Sequence, residues 1–141
     1  MPRILVVDDE AHIQHVVSLK LRHDGMDVVT ASDGDEALAL AIEHTPDAIV
    51  TDFQMPGLTG LELSAAIRHH EALADVPVLM LTARGYGLTD EQLAEHRIAD
   101  VMTKPFSPRE MLQRVRSLLS RAAESATTTA NTAEAERGTI A

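Results

Sequence analysis

The chain has 141 residues, 45% of them hydrophobic but only 2% aromatic, and a net charge of −10. That is enough apolar chain for one aliphatic-cored domain and too much for a disordered one. The acid excess argues against a duplex-binding surface, the lack of cysteine excludes disulfides and thiol chemistry, and no apolar run approaches the ~18 residues that span a bilayer.

Met1-Pro2-Arg3 leads at once into an apolar run, Ile4 to Val7, which leaves no room for a signal peptide and makes a cytoplasmic location the expectation. That first strand stops at Asp8-Asp9-Glu10. Clustered like charges cost free energy unless a cation sits among them. Asp9 is also read as the cap of the helix that follows. Ile13, Val16, Val17 and Leu21 recur at helical spacing, and Asp24-Gly25 closes that helix. Asp27 to Ala31 is a second strand. Ser32 to Glu36 opens a second helix with capping groups and early acids, and Ala37, Leu38, Leu40, Ala41 and Ile42 give its apolar face. Pro46 breaks the chain before a third strand, Ala48 to Thr51, which ends at Asp52. After a turn at Met55-Pro56-Gly57, Thr59 and Glu62 form a capping box for a third helix. Val78 to Leu81 is a fourth strand ending at Thr82, and Thr89 to Gln92 is a second capping box. Ala99 to Thr103 is a short fifth strand ending at Lys104-Pro105. Ser107 to Glu110 caps a last helix carried by Met111, Leu112, Val115, Leu118 and Leu119. The seven histidines are read as surface residues, with His12 and His15 on the first helix and His69-His70 at the end of the third.

A strand and a helix thus alternate five times. Units of that length make a parallel sheet covered by helices on both faces, an α/β doubly wound fold. Such sheets bind ligands at the carboxyl ends of their strands. Here those ends carry Asp8 and Asp9, Asp52, Thr82 and Lys104. Three carboxylates, a hydroxyl and an ammonium on one rim suit a hard cation such as Mg²⁺ together with a phosphoryl group.

Four stretches, VVDDE (6–10), TDFQMPGLTG (51–60), LTAR (81–84) and TKPF (103–106), stand in order at these strand ends. In this the chain resembles response-regulator receiver domains, of the type found in the chemotaxis response regulator, over about residues 3–121. The resemblance implies a flavodoxin-like (βα)5 sheet of order 2-1-3-4-5. It makes Asp52 the phospho-acceptor in a two-component phosphorelay and Mg²⁺ the cofactor. Asp9, Asp52 and the Gln54 backbone carbonyl are the implied direct ligands, with Asp8 acting through a metal-bound water. Lys104 is implied to pair with Asp52 or its phosphate, and the Thr82 hydroxyl to bond a phosphate oxygen. Backbone N–H groups near Ala83 are expected to help neutralise those oxygens. A cis peptide is implied at Lys104-Pro105. The implied partners are a sensor histidine kinase or phosphotransfer protein and a downstream protein target. Neither nucleic acid nor membrane is expected to be bound directly. A monomer or a weak dimer through the fourth helix, fifth strand and last helix is expected. The domain modifies itself and is not otherwise an enzyme.

Two features depart from that pattern. Val101 stands where many receivers have an aromatic residue that follows the Thr inward. Arg97 stands where many have a helix-ending glycine. An Arg in the left-handed region costs about 1–2 kcal/mol, so a different loop or a looser helix end is expected. Residues 122–141, rich in Ala and Thr, are read as a disordered tail after a receiver unit of residues 1–121, with no output domain. Two rivals fit less well. A haloacid-dehalogenase-type phosphatase wants a second acid where Gln54 stands, and a flavodoxin-like flavin binder wants a phosphate loop where Asp8 and Asp9 stand.

Overall fold

The computed structural model describes residues 1–83 and 88–123. Strands β1 (Arg3–Val7), β2 (Asp27–Ala31), β3 (Ala48–Asp52), β4 (Val78–Thr82) and β5 (Ile98–Thr103) alternate with helices α1 (Ala11–His23), α2 (Gly34–His44), α3 (Gly60–Arg68) and α4 (Asp90–Glu95). A final helix, α5, occupies residues 108–123. The five strands form one sheet of order β2-β1-β3-β4-β5, all pairs parallel. This is the doubly wound order expected from the sequence.

The strands read as unbroken apolar runs because both faces of the sheet are covered. Ile4, Val6, Val50, Leu79 and Leu81 face α1 and α5, where Val17, Leu21, Met111, Val115 and Leu118 complete one core. Leu5, Val7, Ile49, Val78 and Met80 face the other way, onto Ala37, Ala41, Leu63 and Ile67. Burying one such aliphatic side chain is worth about 1.5–3 kcal/mol, so these two layers hold the strand ends, and the site on them, in place.

The helix ends follow their sequence signals. Gly25 takes φ 86°, and Met26 N–H reaches back to Leu21 O at 3.1 Å, ending α1. Asp33 Oδ1 accepts from Glu36 N–H at 2.8 Å at the start of α2. Thr59–Glu62 and Thr89–Gln92 form complete capping boxes. Ser107 Oγ accepts from Glu110 N–H at 3.3 Å. The Lys104-Pro105 peptide is cis.

Three local expectations are corrected. Glu10, not Asp9, is the residue that caps α1, and its side chain makes no cap bond. The Asp8 carboxylate takes the local role by accepting from Glu10 N–H at 2.9 Å. Ile42 is exposed, because α2 turns its small residues Ala37 and Ala41 to the sheet, and Ile42 lies about 100° round the helix from Ala41. Arg97 keeps the left-handed conformation, at φ 54°, rather than adopting a different loop. The composition change at residue 122 falls inside α5, which continues through residue 123; the rest of the expected tail lies outside the described residues.

What holds Arg97 is another arginine. Arg68, the last residue of α3, donates from Nη2 to Arg97 O at 3.1 Å. Its Nη1 meets Leu73 O, Ala74 O and Val76 O at 3.2, 3.1 and 2.8 Å. Those carbonyls belong to a single 3₁₀ turn, Glu71–Leu73, and the loop into β4. Burial, and then the nearby Arg97 charge, lower the Arg68 pKa, but the guanidinium stays charged. Arg68→Met removes these bonds while keeping the stem. We expect it to lower stability by about 2 kcal/mol in urea denaturation with an unchanged m value. A loss below the error of the measurement would show that the clasp contributes nothing net.

Candidate phosphoryl-acceptor site

Asp8 follows the last residue of β1 and is 1% exposed, buried at the carboxyl end of the sheet. Its amide donates to Ala31 O on β2 at 3.2 Å, which fixes it in the sheet's own register. Asp52 ends β3 and is 6% exposed. Thr82, also buried, ends β4, one step beyond Leu81, the residue that pairs with Asp52 across the ladder. The turn after β5 brings in Lys104, whose amide donates to Thr82 O at 2.7 Å. Strand ends separated by up to 96 residues therefore meet on one rim.

Lys104 Nζ is the hub. It lies 3.0 Å from Asp8 Oδ2, 3.4 Å from Asp52 Oδ1 and 3.6 Å from Glu10 Oε1. Asp8, Glu10 and Asp52 can each bring one carboxylate oxygen within 4.8 Å of the others. Asp9 is exposed and is not among these three, although its charge acts on Asp52. Glu10 is the member that sequence reading left without a role; its signal was present in the run of three acids. Gln54 is exposed, two residues past Asp52. Ala83 is exposed just past Thr82, and Arg84 lies outside the described residues.

The electrostatics show a site short of positive charge. Burial, opposed by Lys104 and reinforced by Asp8 and Asp9, raises the Asp52 pKa to about 6. Burial also raises Asp8, against the pull of the Glu10 N–H bond and of Lys104. Burial works to lower Lys104, but the bond to Asp8 and the charges of Asp8, Asp52 and Glu10 outweigh it and raise its pKa. One ammonium therefore serves three carboxylates, and two of them still bind protons more tightly than usual. A group of hard oxygen donors with unspent negative charge is the chemistry that Mg²⁺ selects. The donor set fits that ion.

Among the described residues no helix is long and apolar enough to cross a membrane. The family model of the response regulator receiver domain matches residues 4–116. The DNA-binding dual master transcriptional regulator RpaA of Synechocystis sp. is 44% identical over 121 residues, covering 86% of this chain and 50% of that protein. The transcriptional regulatory protein ResD of Bacillus subtilis is 41% identical over 130 residues, covering 92% of this chain and 53% of its own length. The chain thus spans about half the length of the curated relatives it matches. Among solved structures, the chemotaxis response regulator CheY4 of Vibrio cholerae superposes with a TM-score of 0.78 at 34% identity, over 84% of this chain and 98% of its own. A five-stranded sheet of order 2-1-3-4-5, an acidic pocket at its carboxyl rim and a family match over most of the chain agree, and the chain belongs to the response-regulator receiver-domain family of two-component phosphorelays.

Proposed function

We propose that Asp52 is the phospho-acceptor, taking a phosphoryl group from a phosphohistidine of a sensor histidine kinase or phosphotransfer protein. The observation that carries this reading is the placement of a nearly buried carboxylate 3.4 Å from Lys104 Nζ, at the open end of a parallel sheet. An in-line phosphoryl transfer needs a positioned nucleophile and neutralised equatorial oxygens. The Asp52 carboxylate attacks phosphorus as the donor nitrogen leaves. Lys104 is drawn between Asp8 and Asp52 and can follow negative charge onto the product. The Thr82 hydroxyl, on the neighbouring strand, bonds one phosphoryl oxygen. Asp9, Asp52 and the Gln54 carbonyl, with Asp8 behind them, would hold Mg²⁺, which would supply the remaining neutralisation. The chain then signals by protein contacts from a cytoplasmic location, through a downstream protein target and a face built on α4, β5 and α5. Its chemistry is confined to its own carboxylate. Incubation with Mg²⁺ and acetyl phosphate should add one base-labile phosphoryl group by intact mass; a chain that stays unmodified under those conditions overturns the assignment.

Metal binding gives a second prediction. Mg²⁺ without phosphate should raise the melting midpoint by mass action, worth about 1.4 kcal/mol at ten times its dissociation constant. Asp9→Ala should remove most of that shift. Glu10→Ala is the informative companion, because Glu10 shares the carboxylate group and Asp9 does not. A shift that survives Asp9→Ala and vanishes in Glu10→Ala would move the ligand role to Glu10.

A further inference from the structure

The loop between Asp52 and α3 is built tightly. Phe53 N–H donates to Leu81 O at 2.8 Å, and Gly60 N–H closes the base of the loop on Phe53 O at 2.7 Å. Met55 turns inward and is buried, with its Sδ 3.9 Å from Thr51 Oγ1. The far shoulder of the loop, at Gly57 and Leu58, rests on the N-terminus of α2. A Cβ added to Gly34 would stand 2.4 Å from Leu58 Cβ and 2.8 Å from Leu58 O. The contact is reciprocal: a Cβ on Gly57 would stand 2.8 Å from Asp35 Oδ2.

Gly34 is the first residue of α2, just after the Asp33 cap. Helix propensity does not explain a glycine there, since glycine is the poorest helix former after proline. Its φ is not in the left-handed region either. What the position requires is the absence of a side chain, so that α2 can touch the backbone of the loop.

We propose that Gly34 is a positioning residue for the metal-binding loop: by letting α2 seat directly on Leu58, it fixes where the Gln54 carbonyl points. This rests on the reading of Asp52 and Gln54 given above. The magnitudes support it. Ordinary contact between carbons begins near 3.5 Å, so a methyl group at residue 34 forces a displacement of about 1 Å. Five residues, 54 to 58, lie between the pinned base at Phe53 and the helix cap at Thr59, and Met55 is anchored in the core. Phe53 and Thr59 are both held, so the displacement is shared among the peptides of residues 54 to 58. Mg²⁺ holds its oxygen ligands at about 2.0–2.1 Å in near-ideal octahedral geometry, so a carbonyl displaced by even half of it is lost as a ligand.

The test compares Gly34→Ala, Leu58→Gly and the double variant with the parent chain. Each is checked for fold by circular dichroism and a melt, then titrated with Mg²⁺ and followed with acetyl phosphate by intact mass. Gly34→Ala should weaken Mg²⁺ by about tenfold or more, the range seen when groups supporting metal ligands are removed. Its phosphoryl uptake at subsaturating Mg²⁺ should slow in proportion and recover at high Mg²⁺. Leu58→Gly should weaken Mg²⁺ as well, by emptying the seat. In the double variant the new methyl enters the space left by Leu58 Cβ, and Mg²⁺ affinity should return part of the way to that of the parent. A folded Gly34→Ala chain with parental Mg²⁺ affinity overturns the proposal. If that variant does not fold, a folded Leu58→Gly chain with parental affinity overturns it equally. Failure of the parent itself to bind Mg²⁺ or take phosphate would instead overturn the reading of Asp52 and Gln54.

Discussion

Asp52→Asn is expected to take up no phosphoryl group from acetyl phosphate and, in metal-free buffer at pH 8, to be more stable than the parent. The first effect follows from chemistry, since an amide nitrogen or oxygen in place of the carboxylate is too weak a nucleophile. The second follows from linkage. Burial, set against Lys104, raises the Asp52 pKa to about 6. An unfolded Asp releases its proton near 3.9. Between those values the folded chain holds more protons than the unfolded one, so stability falls as pH rises. Above about pH 6 the deficit is complete, and a shift of this size corresponds to about 3 kcal/mol. Asn carries no charge and nearly the same volume, so it escapes this cost. The variant should melt roughly 5–10 °C higher at pH 8, and the gap should close on acidification towards pH 4. Phosphoryl uptake at the parental rate, or coincident melts at pH 8, would sink the assignment of Asp52 as a buried, charge-starved acceptor.

Lys104→Met should have the opposite effect on stability. The lysine is the cation shared by Asp8, Asp52 and Glu10, and its own side chain is 14% exposed. Removing one partner of a buried pair typically costs about 3 kcal/mol or more, because the other charge is left behind. The raised pKa of Lys104 keeps it charged across the neutral range, so its contribution is complete below its unfolded pKa near 10.4 and is lost only as pH climbs past the folded value. The carboxylates set the lower limit. As Asp52 and Asp8, both raised by burial, take up protons in acid, the loss of Lys104 matters less. Mg²⁺ should also narrow the gap by supplying the missing charge. Urea denaturation at pH 8 and pH 5, with EDTA or with Mg²⁺, reads all of this. A penalty indifferent to both pH and Mg²⁺ would mean that Lys104 acts through packing of its stem rather than through charge.

The fold was legible because its signals are local and agree with one another. Apolar runs marked the strands, Thr59–Glu62 and Thr89–Gln92 marked helix starts, and Asp24-Gly25 marked a helix end. The rim was legible because a parallel sheet sends every strand's carboxyl end the same way, so Asp52 and Thr82 at strand ends and Asp8 and Lys104 just past them come together. What escaped depends on contacts between residues far apart. Nothing local announces that Arg68 will hold Arg97 in a left-handed turn, a contact across 29 positions. Glu10 stood in the run of three acids, but that Lys104 reaches it and Asp9 stays outside the group depends on the fold. Ile42 read as core because helical spacing gives the width of an apolar face but not which part of it the sheet touches. Gly34 read as an unremarkable helix start, since its reason lies in Leu58.

Helix α4 buries none of its residues fully and is only six residues long. Leu93 alone of its side chains packs partly against the core. So short a helix has little intrinsic stability in water, and this one gains little from packing. Its opening therefore belongs to the least costly fluctuations of the molecule. A partner that grips the formed helix sees an affinity scaled by the fraction of time the helix is formed. Anything that raises that fraction strengthens the partner without touching it. If α4 belongs to the face that meets a target, as proposed above, the gain of that face would be set by occupancy, with the capping box at Thr89 and the clasp on Arg97 as the two ends from which it is adjusted.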